Sequence, residues 1–149
     1  MTDLILVRGL PGSGKSYKAA ELAAESDAVV YEADQYFCYR PYPLVPSDEE
    51  YTGLTQVILK ATYLYEGKRI SKAHEWCKMR TRQTLEAGFK VIVSNTFVMV
   101  WEMQDYLDMA KELGKSVRVL TATGNYKNVH GVPEEVIKGM KAKWEPYGE

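Results

Sequence analysis

Residues 9–16 read Gly9-Leu10-Pro11-Gly12-Ser13-Gly14-Lys15-Ser16, a complete G-x-x-x-x-G-K-[ST] phosphate-binding loop. The apolar run Leu4-Ile5-Leu6-Val7 precedes it and suits a buried parallel strand, while Tyr17-Lys18-Ala19-Ala20-Glu21-Leu22-Ala23-Ala24 follows it and is rich in helix formers. Glycines at 9, 12 and 14 let the backbone turn and bring N–H groups against phosphate oxygens, and the helix aims its positive end at the same anion. Lys15 then reaches the β- and γ-phosphates of ATP and Ser16 ligates Mg2+, with Pro11, Ser13 and Tyr17 in the nucleotide-contacting stretch. At average residue usage this pattern arises by chance in roughly 0.5% of chains of this length, and the flanking strand and helix signals lower that further.

The pattern repeats outward. Apolar runs at 4–7, 28–31, 89–93 and 117–120 alternate with helical patterns, which predicts an α/β fold with a parallel sheet flanked by helices. Helices are expected over about 15–25, 68–87 (stopped by Gly88), 100–113 (stopped by Gly114) and onward from Pro133-Glu134-Glu135, where proline and acidic residues suit a first turn.

Bulk composition narrows the class. With 149 residues, 46% hydrophobic and 26% charged, one ordinary domain is expected, and the net charge of −1 supplies no global basic field for nucleic acid. Cys38 and Cys77 have neither metal-ligand nor disulfide spacing, which fits a reducing compartment. No apolar stretch approaches the length of about 18 residues that a membrane span needs, and Met1-Thr2-Asp3 is no signal-peptide start, so a cytoplasmic protein is expected.

Two segments break the alternation. Residues 35–66 carry Pro41, Pro43, Pro46 and Gly53, and tyrosines at 36, 39, 42, 51, 63 and 65 beside Phe37. They read either as a small satellite core or as an acceptor-binding insertion whose rings stack on a base. Residues 121–131 contain Gly and Asn and precede the last helix, where a lid over the nucleotide is expected, with Lys127, Asn128 and His130 touching the donor phosphates.

Asp34 closes the second strand, and the carboxyl ends of parallel strands form the ligand crevice. A carboxylate there can take the proton of an attacking hydroxyl or hold Mg2+. Ser94-Asn95-Thr96 closes the third strand likewise, and Asn95 and Thr96 are candidates to position the acceptor. On the 68–87 helix, His74, Lys78 and Arg82 form a basic stripe opposite Ile70, Ala73, Cys77, Thr81 and Leu85. That stripe is either a solvated face or the track of a polyanion, with Arg80 beside it as a phosphate contact.

Together these residues resemble the polynucleotide-kinase-like P-loop kinases, which include the kinase part of phage polynucleotide kinase, the NEDD4-binding-protein-2-like proteins and phage 5-hydroxymethyluracil DNA kinases. The matching stretches are Gly9 to Ser16, Asp34-Gln35-Tyr36-Phe37, Ala73-His74-Glu75-Trp76, Val91-Ile92-Val93-Ser94-Asn95-Thr96, Trp101-Glu102-Met103 and His130-Gly131-Val132-Pro133. The resemblance implies a three-layer P-loop kinase fold with a lid. It also implies transfer of the γ-phosphate of ATP to a hydroxyl, Asp34 as general base, and Lys15 and Ser16 on phosphate and Mg2+. A lid arginine of such kinases falls near Lys127, which offers a point charge in place of a bidentate fork. The acceptor is then a DNA or RNA 5′-hydroxyl end or the hydroxymethyl group of 5-hydroxymethyluracil in DNA, recognised through Tyr36 and Phe37. A small-metabolite or nucleotide kinase, and a slow ATPase acting as a switch or interaction module, stay open as alternatives.

Overall fold

In the computed structural model the described residues are 2–33, 35, 70–124 and 133–148, with Ile70 described in its backbone alone. Strand β1 (Leu4–Arg8) is buried at all its positions and lies inside a four-stranded sheet of order β2-β3-β1-β4, with β2 at Val29–Tyr31, β3 at Val91–Asn95 and β4 at Val117–Thr121. Every pairing is parallel, with Leu4 opposite both Val91 and Val117, and Arg8 opposite both Asn95 and Thr121. An inner strand of a parallel sheet hides both faces, which is why Leu4 to Val7 is an unbroken apolar run and not an alternating one.

Helices cover both faces. Ile5, Val7 and Ile92 pack with Ala19 of α1 (Lys15–Ser26), joined by Leu22 and Ala23. Leu4, Leu6, Val91 and Val93 pack with Cys77 and Leu85 of α2 (Ile70–Glu86) and with Met103, Tyr106, Met109 and Ala110 of α3 (Trp101–Leu113). Each fully buried aliphatic side chain contributes about 1.5–3 kcal/mol, so these two clusters set the order of the layers. The three-layer α/β arrangement expected from the alternation is therefore present. Ala73, Cys77, Thr81 and Leu85 are all fully buried, as the periodicity of that helix requires. Helix α2 is described from Ile70 and ends one residue earlier than the pattern predicts. The third strand runs on to Asn95, because its polar end pairs with Arg8.

The last helix, α4 (Glu134–Lys143), buries none of its side chains. Its attachment lies just beyond it. Trp144 stacks on the guanidinium of Arg8 at 4.0 Å, Glu145 donates its N–H to the Val98 carbonyl at 2.9 Å, and its carboxylate accepts from the Val100 N–H at 2.9 Å. Arg8 shares the face of Leu4 and Leu6 and is fully buried. Its Nε and Nη2 donate to the Phe97 carbonyl at 3.0 and 2.6 Å, and Nη2 also donates to the Val98 carbonyl at 3.0 Å. Phe97 adopts φ 45°, a left-handed conformation that costs a bulky residue about 1–2 kcal/mol. Its buried ring, set edge-on to Tyr106 at 5.6 Å, and the Arg8 clamp on its carbonyl offset that cost.

Burial pulls the Arg8 guanidinium below its ordinary value, with Glu102 and Glu145 opposing that shift. Arg8→Met leaves the buried Phe97 carbonyl without its Arg8 donors and the Val98 carbonyl with the Glu145 N–H alone, and is expected to lower the unfolding free energy by about 2–4 kcal/mol in urea titrations followed by circular dichroism. Trp144→Ala keeps the donors and loses the stacking, for an expected loss of about 0.5–2 kcal/mol. A change below about 0.5 kcal/mol for Arg8→Met, the size of an ordinary surface substitution, would show that the clamp is not structural.

Candidate nucleotide-binding site

The phosphate-binding loop springs from the carboxyl end of β1 and is tied to both neighbouring strands. Gly9 donates its N–H to the Thr96 carbonyl at 3.2 Å beyond β3, and beyond β4 Ala122 donates to the Arg8 carbonyl at 2.8 Å and Gly124 to the Ser13 carbonyl at 2.9 Å. Within the loop Ser13 N–H reaches the Leu10 carbonyl at 3.0 Å. Gly12 and Gly14 take φ 83° and 85°, a region that side-chain-bearing residues avoid. A Cβ on Gly9 would be driven into Ser13 Oγ and come within 3.1 Å of the Ala122 carbonyl.

These details fit a bound polyphosphate. Gly14 is the N-cap of α1 and supplies no side-chain cap, and the first turn of the helix carries no acidic residue, so its leading amides are open to an anion. Lys15 is buried at that terminus. Ser13 Oγ is buried without a hydrogen-bond partner among the described residues, as expected of a hydroxyl whose partner is a ligand oxygen. Pro11 is half-buried, and Ser16 and Tyr17 are exposed, Tyr17 at 73%, so both hydroxyls are accessible from outside.

At the neighbouring strand end, Asn95 is 6% exposed and spends its carboxamide inside the protein, while Thr96 is half-buried and lends its carbonyl to the loop. Ser94 Oγ is buried without a partner among the described residues. Arg80 is exposed on α2. Asp34, Tyr36, Phe37, Cys38, Lys127, Asn128 and His130 lie outside the described residues, as do the 35–66 stretch apart from Gln35 and the 125–131 part of the expected lid.

Two of the basic-stripe residues reach across the surface to another helix. Lys78 Nζ lies 2.7 Å from Asp105 of α3 and 3.5 Å from Glu75, and Arg82 lies 2.7 Å from Glu112 of α3 and 3.7 Å from Glu86. Burial pulls the Lys78 ammonium down, but Asp105 and Glu75 outweigh it and hold the charge above its ordinary value. The hydrogen bond to Glu112 raises Arg82 and lowers Glu112 in turn. At Lys78 and Arg82 the stripe is thus ion-paired to α3, which favours the solvated-face reading over the polyanion track. The helical spacing was legible, but the acidic partners come from a helix some 30 residues away in sequence. Alanine at both positions is expected to leave affinity for a single-stranded oligonucleotide, read by fluorescence anisotropy, within about 2-fold; a loss of about 10-fold or more would restore the track.

Cys77 is fully buried, and that burial pushes its thiol above the usual range. The nucleophilic thiolate is therefore scarce below about pH 9. In native protein Cys77 is expected to react with a disulfide reagent at pH 8 at least about 100-fold more slowly than in urea, and equal rates would overturn this.

Sequence reasoning missed Arg8, Trp144 and Glu145. A signal for Arg8 existed: a charge ending an inner apolar strand, next to Gly9, on the face of Leu4 and Leu6. For Trp144 there was none, since a single aromatic residue after a polar helix is common.

The AAA_33 family, described as an AAA domain, matches residues 4–147, and the chain belongs to that family. Among curated proteins, NEDD4-binding protein 2 of Homo sapiens is 28% identical over 148 residues, covering 92% of this chain. The chain spans only 7% of the length of that relative. Among solved structures, a gluconokinase from Sinorhizobium meliloti 1021 superposes with a TM-score of 0.61 at 14% identity, over 97% of this chain and 76% of the other. Kti12 of Chaetomium thermophilum, solved in complex with ADP-AlF3, superposes with a TM-score of 0.54 at 15% identity, over 96% of this chain and 80% of the other. The fold is accordingly that of the P-loop kinases, and the chain is a P-loop kinase-like domain. Among the described residues no helix is long and apolar enough to cross a membrane, and no three His, Cys, Asp or Glu side chains gather as a metal site.

Proposed function

We propose that this domain transfers the γ-phosphate of ATP to a hydroxyl group on nucleic acid, either a 5′-hydroxyl end or the hydroxymethyl group of 5-hydroxymethyluracil in DNA. The observation that carries the donor half is the uncapped start of α1, with left-handed Gly12 and Gly14 and buried Lys15, at the carboxyl end of the inner strand. In this reading the loop amides and Lys15 hold the β- and γ-phosphates. The acceptor oxygen attacks the γ-phosphorus, its proton passes to the Asp34 carboxylate, and the bond to the β–γ bridging oxygen breaks to release ADP. Ser16 and Asp34 would hold Mg2+, which supplies positive charge between the phosphates when bound. Lys127, Asn128 and His130 close on the donor from the 121–131 lid. Tyr36 and Phe37 stack on the acceptor base from the tyrosine-rich 35–66 insertion, with Thr96 and Arg80 nearby on the acceptor path. All of this falls within a single domain spanning residues 1–149.

A second reading has its own support. Lys78 and Arg82 are already paired, the net charge is −1, and one structural neighbour is a gluconokinase, so a small polyhydroxylated acceptor is the competing substrate class.

Labelled phosphate transfer from ATP decides between them, with 5′-hydroxyl oligonucleotides, hydroxymethyluracil duplexes, free nucleosides and sugar acids offered in parallel. Labelling of either nucleic acid is expected. Labelling of sugar acids or nucleosides alone would establish the second reading, and ATP hydrolysis with no labelled acceptor would leave a slow ATPase. Asp34→Asn is expected to cut transfer by about 100-fold or more while ATP still binds, whereas Lys15→Ala is expected to weaken ATP use itself. Full transfer by Asp34→Asn would exclude Asp34 as the base.

A further inference from the structure

Strands β2 and β3 stay in register only as far as Tyr31 opposite Val93, whereas β1 and β3 continue together to Arg8 opposite Asn95. The β2 chain therefore leaves the ladder just before Ala33. The buried N–H of Ala33 is bonded across the strand end by a side chain, donating to Asn95 Oδ1 at 2.8 Å. An N–H can only donate, so this contact also fixes which end of the carboxamide faces it. The other end, Asn95 Nδ2, points at the Cys77 sulfur at 3.8 Å in the core beneath. Burial keeps that thiol protonated, so it offers the carboxamide a neutral neighbour.

Two residues further on, Gln35 closes the same turn. Its N–H donates to the Glu32 carbonyl at 3.0 Å, its Oε1 accepts from the Glu32 N–H at 3.2 Å, and its Nε2 donates to the Val30 carbonyl at 3.2 Å. Ala33 and Gln35 are the two covalent neighbours of Asp34. Each is anchored, one to β3 and one back onto β2.

We propose that Asn95 is a positioning residue for the Asp34 base: by holding the Ala33 amide against the end of β3, it fixes the chain at Ala33, the residue before Asp34, relative to the phosphate-binding loop. Its place at the end of the third strand suggests direct contact with the acceptor, but Oδ1 already accepts from Ala33 and Nδ2 lies against the Cys77 sulfur. Turning it outward would strand a buried N–H. The chain just past β3 also bonds the loop directly, through the Thr96 carbonyl and the Gly9 N–H, so two consecutive residues tie the donor cradle and Ala33 to one strand end. An aspartate at position 95 would accept from Ala33 equally well, but it would place a buried negative charge beside an anion site. The inference rests on Asp34 acting as the base.

The test compares Asn95→Leu, Asn95→Asp and Asp34→Asn, with a 5′-hydroxyl oligonucleotide and a hydroxymethyluracil duplex as acceptors. Amide hydrogen exchange at Ala33 serves as a readout independent of activity. Asn95→Leu is expected to lower kcat for transfer about 10- to 100-fold with KM for ATP within about 3-fold, and to speed Ala33 exchange at least about 10-fold. Asn95→Asp keeps the acceptor, so kcat and Ala33 protection are expected to return to within about 5-fold of the starting protein, with the added charge appearing in KM for ATP. The proposal is overturned if Asn95→Leu leaves Ala33 exchange unchanged, if it raises KM for the acceptor with kcat intact, or if Asn95→Asp is as slow as Asn95→Leu. An unfolded Asn95→Leu leaves the decision to Asn95→Asp, whose Ala33 protection must persist. Full transfer by Asp34→Asn removes the base assignment itself, whereas an inactive Asp34→Asn beside a normal Asn95→Leu sinks only the positioning role.

Discussion

The placement of β1 between β3 and β4 is the constraint on which the rest of this structure depends. An inner parallel strand has no free edge and no solvent face, so its carboxyl end cannot drift. The loop that follows inherits that fixity through Gly9 on the Thr96 carbonyl, Ala122 on the Arg8 carbonyl and Gly124 on the Ser13 carbonyl. A phosphate cradle made of backbone amides needs such support, because amides stabilise an anion only if they already point at it.

Arg8 extends the same constraint away from the sheet. A fully buried guanidinium is costly unless its donors are used; here Nε and Nη2 hold a strained turn, while Nη1 has no hydrogen-bond partner among the described residues. Phe97, Val98, Trp144 and Glu145 thereby form one unit around the strand that leads into the phosphate-binding loop. Helix α4 buries no side chain of its own, so the chain after the expected lid is held to the domain by this unit more than by a helix–sheet interface. Around the crevice, Asn95 plays a comparable part for the β2 turn, one carboxamide replacing the ladder bond that the diverging strands no longer make.

Short-range features were legible because short-range physics produces them. The glycine spacing of residues 9–14 demands left-handed backbone, and the structure has it at Gly12 and Gly14. The α2 periodicity puts Ala73, Cys77, Thr81 and Leu85 on one face, and all four are buried. Features that depend on a partner far along the chain were left open or missed. Lys78 and Arg82 looked like an open basic stripe until α3 supplied Asp105 and Glu112. Asn95 reads in the sequence as an acceptor contact, and only the fold brings Ala33 and Cys77 to its carboxamide.

The sequence by itself determined the phosphate-loop motif and the alternation of strands and helices, since each follows from residues within one turn or one strand of each other, and the ordered series of such local motifs determined the family. Tertiary structure alone decided what the strand-end side chains do. Whether Asn95, Arg8 or Lys78 faces substrate or protein depends on which distant donors and acceptors the sheet order brings within about 3 Å, and hydrogen bonding acts only at that range. A loop motif carries its conformational demand within its own residues, whereas a buried polar side chain takes its role from neighbours that the chain reaches only after folding.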